Sequence, residues 1–328
     1  MNLGNIKEFL GEDWRRTGEM IRSSLKSDIN LLDTTNEAIL SNSGKQLRPI
    51  VSLLCARACS GGTVTADSIR FAAAAELLHN ATLLHDDVAD NSSERRGRPS
   101  VMALLGGPAS VLIGDFWLVR AMDNILRADK DSTRVIGLFS KTLSDLAEGE
   151  ILQLQKAGSG DTDEKDYLRI IYSKTASLFE TAAASAAISV GASDLYVEAV
   201  SKYAVSLGLA FQIRDDMFDY SLNSDQIGKP VGIDLDEQKI TLPLLGALSA
   251  VPQTRQEEIR RMVSEIHDNP RNKEVIRDFV FSNGGLGYAG ERLQEYVGSA
   301  VDALASLPES EERNYLAEVA RFTADRKK

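Results

Sequence analysis

The sequence predicts an all-α fold, and three observations carry that prediction. Apolar residues recur at three- and four-residue spacing along nearly the whole chain, which puts them on one face of successive helices. Alternation with a period of two, the mark of a half-buried strand, is scarce. Glycine, proline and asparagine breaks fall at helix-length intervals, and only 8 prolines occur in 328 residues.

In order, residues 3–25 predict one helix and 27–41 a second, closed by Ser41-Asn42-Ser43-Gly44. Pro49 predicts the first position of a helix to about Ser60, since its missing N–H costs nothing there, and Gly61-Gly62 ends it. Residues 66–90 read as a long apolar helix. Helices 107–128 and 132–157 follow the Gly106-Gly107-Pro108 break. Past Gly158-Ser159-Gly160 come 163–190 and, after Gly191, 193–220. The remainder predicts helices at 239–250, 253–267, 271–283, 285–305 and 309–325, separated by Pro252, Asn269-Pro270, Gly284-Gly285 and Pro308. No linker or low-complexity stretch intervenes. Residues 1–328 are therefore expected to form one domain, a helical bundle around a central cavity where facing helices supply ligands.

Composition narrows the function. The chain is 43% hydrophobic and 26% charged, with a net charge of −11, which argues against nucleic acid as the main partner because that calls for a basic face. The first 13 residues lack a basic and then an apolar segment, so no signal peptide is read. No run of 18 apolar residues exists, so no stable membrane insertion is expected. Cys55 and Cys59 lie four apart on one helix face and read as buried thiols. There is no Cys/His framework for zinc, and the usage suits a reducing cytoplasm.

Two short stretches carry the chemistry. The first is His85-Asp86-Asp87-Val88-Ala89-Asp90, followed by Glu94-Arg95-Arg96-Gly97, and its echo is Gln212-Ile213-Arg214-Asp215-Asp216-Met217-Phe218-Asp219. Each places carboxylates at i, i+1 and i+4, within about one helical turn. Each also closes an apolar helix segment, 71–84 and 204–213, where the helix dipole is already negative. Like charges there need a cation. Mg²⁺, a hard ion that shares itself between one or two carboxylates and substrate phosphates, is the expected one.

Basic groups accompany the acids. Gly44-Lys45-Gln46-Leu47-Arg48-Pro49 sets a point charge and a rigid guanidinium fork at a helix start, a combination suited to a diphosphate. Arg95 and Arg96 follow the first acid cluster, and His79 lies two turns before Asp86 on the same face. Lys174-Thr175 falls mid-helix in an apolar region. Lys229 and Lys239 flank a glycine-containing loop that can close over a bound anion.

These motifs resemble the trans-type polyprenyl diphosphate synthases of the isoprenyl diphosphate synthase family. The likeness runs from about Gly44 to Pro243 and rests on the Gly-Lys-x-x-Arg-Pro box, both aspartate-rich motifs, Arg95-Arg96-Gly97, Lys174-Thr175, Phe211-Gln212 and Gly228-Lys229-Pro230 through Lys239-Ile240-Thr241-Leu242-Pro243. Gln46 departs from the family, which often has Arg there.

The resemblance implies roles. Asp86, Asp90 and Asp215 would bind Mg²⁺, about three ions with the allylic diphosphate in place, and Asp87, Asp216 and Asp219 would support them. Arg95, Lys174, Lys229 and Lys239 would face the allylic diphosphate, with farnesyl diphosphate as the expected primer. Lys45, Arg48, His79 and Arg96 would hold isopentenyl diphosphate, and Thr175 and Gln212 would line the place where positive charge develops. A homodimer is the family's usual state.

Product length is expected from the helix before Asp86. Short-chain members tend to place an aromatic where Ala81 or Thr82 stands, so the channel floor reads as open, with Leu77 and Leu78 one turn further down. Together with residues 110–116 this resembles the long-chain quinone-tail branch, with octaprenyl as the favoured length and farnesyl or geranylgeranyl as the alternative. A class I terpene cyclase would carry an Asn/Ser/Glu motif in place of the second aspartate cluster. A non-catalytic partner subunit would be expected to have lost a motif, and none is missing here.

Overall fold

A long helix, buried along most of its length, organises the first half of the computed structural model, which describes residues 2–220 and 232–326. This helix, α4 (Ala66–Ala89), follows α1 (Leu3–Ser24), α2 (Asn30–Ser41) and α3 (Leu47–Ser60). Thr65 and Ser68 cap its start reciprocally, satisfying two otherwise orphaned N–H groups. The run Ala72–Ala75 is fully buried, and small side chains let neighbouring helices approach closely. A two-stranded hairpin, β1 (Glu94–Arg95) with β2 (Arg98–Pro99), comes next, then α5 (Val101–Leu105) and α6 (Gly107–Leu126), which packs along α4.

After these come α7 (Ser132–Ser159), α8 (Glu164–Ile171), a π-helical turn (Tyr172–Ala176), α9 (Ser177–Ser189) and α10 (Asp194–Asp219). The last described part holds α11 (Ile233–Asp236), α12 (Leu242–Ser249), α13 (Gln253–Ser264), α14 (Asn272–Ser282), α15 (Gly285–Ala303), a 3₁₀ turn (Leu304–Ser306) and α16 (Glu311–Asp325). Two compact units result. The first comprises Met1–Ser140, Leu178–Ser201 and Leu304–Leu316, and the second Lys141–Ser177, Lys202–Ala303 and Ala317–Lys328. In the second, α12, buried from Leu242 to Leu248, packs against α14 and α15. The all-α expectation holds, the short hairpin aside. No described helix is long and apolar enough to cross a membrane.

Several boundaries differ from the sequence pattern. Helix α1 is kinked at Gly11 (φ 51°, ψ −116°), and Arg57 of α3 donates to the Phe9 and Leu10 carbonyls beside the kink, at 3.1 and 2.9 Å. The second helix begins at Asn30, not 27. Pro49 is the third residue of α3 and not its first; it is tolerated because N–H groups throughout the first turn lack a helical acceptor. Predicted helix 163–190 is interrupted by the π turn, and predicted helix 239–250 starts only at Leu242. The stretch after Asp90 folds into the hairpin, and α5 was absent from the pattern because five residues are too few to show a period.

Candidate active site

In the first unit, α4 brings the first acid cluster to its C-terminus. Asp86 is half-buried, and Asp90 is exposed as the cap residue, its N–H bonded to the Asp86 carbonyl at 2.8 Å. Asp87 turns inward, 3% exposed, and accepts from Arg95 Nε at 2.9 Å and Nη2 at 2.5 Å. The expected trio is thus a pair of accessible acids plus one that anchors β1. Among the described residues, no three Asp, Glu, His or Cys side chains converge on a possible metal position. The donor set is nonetheless hard oxygen, which fits a divalent cation whose remaining positions go to phosphate oxygens.

The hairpin tip places Arg96. Arg96 and Gly97 both have positive φ (55° and 75°), as a two-residue type I′ turn requires. That conformation is natural for Gly97 and costly for an arginine, so the surrounding structure over-determines it. The Arg96 guanidinium donates to the Asn42 carbonyl at 3.0 Å and lies against Gly44, where an added Cβ would come within 2.9 Å of it.

Arg48 of α3 stacks on Phe179 at 4.5 Å, and its buried Nε has no hydrogen-bond partner. Burial and Arg96 pull its pKa down to about 10, against the opposing pull of Glu76. Glu76 is buried, accepts from Asn80 at 3.2 Å, and has its pKa raised by burial despite Arg48 and Arg96. His79 is driven well below the ordinary histidine range by burial and by Arg48, Arg96 and Arg95, which disfavour its charged form. Lys45 is exposed at the same loop. An unsatisfied buried guanidinium donor beside further cations fits an anionic ligand. The sequence reading missed Glu76, although its i, i+3 spacing to His79 was visible.

Ala81 is buried, Thr82 is half-buried with its hydroxyl bonded to the His79 carbonyl at 2.8 Å, and Leu77 and Leu78 are fully buried. The Ala81 carbonyl lies 3.2 Å from where a Cβ on Gly114 of α6 would stand.

In the second unit, two glycines let α7 and α10 close on the π turn. A Cβ on Gly149 would meet Ser173 Cβ at 2.5 Å, and one on Gly208 would meet Ala176 Cα at 2.5 Å. A π turn inserts one extra residue per turn, a feature common at functional sites. It carries Lys174, whose Nζ reaches Glu150 at 2.5 Å and Gln153 at 3.1 Å. Thr175, 7% exposed, donates from Oγ1 to Gln212 Oε1 at 2.8 Å.

The second acid cluster is held differently. Asp215 accepts from Arg326 Nη2 at 2.9 Å. Arg326 is buried and stacks on Phe211 at 3.9 Å, so it is docked on α10; Lys327 and Lys328 lie outside the described residues. Asp216, 5% exposed, accepts from Tyr167 Oη at 2.6 Å and Gln212 Nε2 at 2.9 Å. Burial, with Asp215 and Asp219 adding, pushes its pKa up to about 7 against the pull of those two hydrogen bonds. Asp219 accepts from the backbone N–H groups of Gly232, Ile233 and Asp234 at 2.8, 3.0 and 3.0 Å, capping the start of α11. Lys239 pairs with Glu237, while Lys229 lies outside the described residues. A cavity of about 110 Å³ is lined by Lys174, Gln212, Asp216, Asp234, Lys239 and Tyr167, among others.

Comparison with known proteins gives the family. The family model described as polyprenyl synthetase matches residues 29–280. The octaprenyl diphosphate synthase of Haemophilus influenzae is 38% identical over 326 residues, 99% of this chain and 98% of the relative. An all-trans-nonaprenyl-diphosphate synthase (geranyl-diphosphate specific) of Rhodobacter capsulatus is 38% identical over 317 residues, 97% of this chain and 96% of the relative. The crystal structure of a polyprenyl synthase from Caulobacter crescentus, complexed with calcium and isoprenyl diphosphate, matches with a TM-score of 0.91 at 32% identity, covering 100% of this chain and 98% of that one. The chain belongs to the polyprenyl synthetase family of prenyltransferase enzymes.

Proposed function

We propose that this chain is a long-chain trans-polyprenyl diphosphate synthase. It joins an allylic diphosphate, with farnesyl diphosphate as primer, to successive molecules of isopentenyl diphosphate. The favoured product is octaprenyl diphosphate, a precursor of quinone side chains. One observation carries the reading: each unit has its own acid-ended helix, with Arg48 suited to a diphosphate in the first and with Lys174 and a neutral Thr175–Gln212 pair suited to a carbocation in the second.

The allylic C1–O bond breaks with its electron pair going to the departing diphosphate. Mg²⁺ held by Asp86, Asp90 and Asp215 would supply Lewis-acid neutralisation of that group. Lys174 and Lys239, each steadied by a neighbouring carboxylate, would neutralise the same diphosphate; Arg95 is assigned the same role, as is Lys229, which lies outside the described residues. Lys45, Arg48, His79 and Arg96 hold isopentenyl diphosphate, and the orphaned Arg48 Nε gains an acceptor there. The oxygen dipoles of Thr175 and Gln212 meet the developing cation without offering a strong nucleophile. The alkene of isopentenyl diphosphate forms the new bond to C1, and one proton is lost to the departing diphosphate. Water must be excluded, or the cation becomes an alcohol.

The allylic tail runs beside α4 past Ala81 and Thr82, each added isoprene unit needing roughly one more turn, about 5 Å. On α6, Leu112, Val119 and Leu126 stand seven residues apart with 58–68% of their surface exposed. An apolar stripe of that kind fits a second copy of the chain, supporting a homodimer. The two free thiols Cys55 and Cys59 suit a reducing cytoplasm.

The test is product analysis. The purified chain, Mg²⁺, labelled isopentenyl diphosphate and farnesyl diphosphate are incubated, and the hydrolysed prenyl alcohols are sized. A ladder ending at a long chain is expected, and Ala81→Phe should shorten it. A short wild-type product moves the floor to Leu77 and Leu78. An unchanged product in Ala81→Phe removes the channel from this face of α4.

A further inference from the structure

We propose that Tyr167 is a positioning residue for the carbocation chemistry, acting through Asp216 and Gln212 on Thr175. The inference rests on the assignment above of Thr175 and Gln212 to the reacting carbon.

Four side chains of the second unit form one directional series. Tyr167 Oη donates to Asp216 Oδ2 at 2.6 Å, Gln212 Nε2 donates to Asp216 Oδ1 at 2.9 Å, and Thr175 Oγ1 donates to Gln212 Oε1 at 2.8 Å. A side-chain amide can turn over and exchange its oxygen for its NH₂, and only its partners decide which way it lies. Asp216 Oδ1 faces the Gln212 NH₂ and accepts from it. The amide oxygen then faces Thr175, and the Thr175 proton is committed to that oxygen. The lone pairs of Thr175 Oγ1 are left for the electron-poor carbon. Were the amide reversed, its NH₂ would point at Thr175 and set a positive dipole end beside a developing positive charge.

Tyr167 fixes the carboxylate on which this orientation depends. Asp216 and Tyr167 are both buried, 5% and 2% exposed, and the carboxylate accepts from the neutral groups of Tyr167 and Gln212. With Tyr167 on Oδ2, Oδ1 stays aimed at Gln212. The ring sits on α8, seven residues before Lys174, and lines the same cavity as Lys174, Gln212 and Asp216. The contacts of α7 and α10 with the π turn at Gly149 and Gly208 hold Thr175 at the other end of the series. A tyrosine that merely filled the core would not need its hydroxyl on an acid of this cluster. The phenol supplies a donor with no charge of its own, so it fixes the acid without adding a cation next to a carbocation.

Tyr167→Phe tests this, since it removes one oxygen and keeps the ring. The single-turnover rate of the first condensation should fall about tenfold, as for loss of an outer-shell partner. Affinity for both diphosphates and the Mg²⁺ concentration for half-maximal activity should be unchanged, and more primer should be released as prenyl alcohol. In a Gln212→Ala background, Tyr167→Phe should have no further effect on the rate. The proposal is overturned by an unchanged rate and alcohol fraction, by effects that multiply in the double variant, or by a shifted Mg²⁺ requirement, which would place Tyr167 on the metal-side acid. The Gln212 side-chain NH₂ resonances give a readout without turnover: they should move in Tyr167→Phe, and unmoved resonances overturn the series. A wild-type chain that makes no polyprenyl product would instead defeat the reaction assigned to the site, and the resonances would still judge the hydrogen-bond series.

Discussion

The ends of α4 and α10 carry the same Asp-Asp-x-x-Asp pattern and hold it by different means. At the end of α4, the middle acid Asp87 is bound by a charged partner, Arg95, and the last acid Asp90 is exposed. At the end of α10, the middle acid Asp216 is bound by two neutral donors, and the last acid Asp219 is bound by three backbone N–H groups. In both, of the adjacent pair the second acid is buried and the first is the more accessible. Spacing on a helix explains this: i and i+1 point about 100° apart, so a helix with one face inward buries one of an adjacent pair. What differs is the job left for the buried acid. Asp87 ties down the hairpin that presents Arg96, and Asp216 orients an amide.

The largest effects should separate the first acids from the rest. Asp86→Ala and Asp215→Ala should each lower the condensation rate by about 10²–10³ with the fold intact, as for removal of a main electrostatic stabiliser. Activity assays with circular dichroism check this, and a mild loss in either would break the equivalence of the two clusters.

The buried acids should sort by partner. Asp87→Ala leaves Arg95 without its carboxylate, and Asp216→Ala leaves the Tyr167 and Gln212 donors unsatisfied, each costing roughly 1–3 kcal/mol in denaturant unfolding. Only Asp87→Ala should also raise KM for isopentenyl diphosphate, because the hairpin carries Arg96. Equal KM changes in the two variants would remove the distinction.

The smallest expected effect concerns Arg326. It is a cation on Asp215, so Mg²⁺ must displace or share it. Arg326→Ala should lower the Mg²⁺ concentration for half-maximal activity about two- to fivefold, the equivalent of a partly screened ion pair. A rise would mean that Arg326 serves the substrate diphosphate instead.

Much of this was legible without coordinates. The all-α class followed from apolar spacing, because burying one face of a helix is a local requirement written into every turn. The acid clusters, Lys174-Thr175 and Gln212 were legible because each is a local string of chemically unusual residues in apolar surroundings. The π turn was not legible, since one inserted residue shifts the period within a single turn and leaves no pattern. Nor was the αL conformation of Arg96, which a local preference would have assigned to glycine alone.

The sequence by itself determined which residues are ionisable, that the chain is helical, and that two helices end in acid clusters. Only the tertiary structure decided which acid of each cluster faces a partner, that Tyr167 lies 49 residues from the carboxylate it holds, and that Arg326 returns across 111 residues to Asp215. The physical reason is range. Helix propensity and periodicity act over a few residues, whereas the hydrogen-bond partner of a buried polar group is whichever donor the packing brings within about 3 Å.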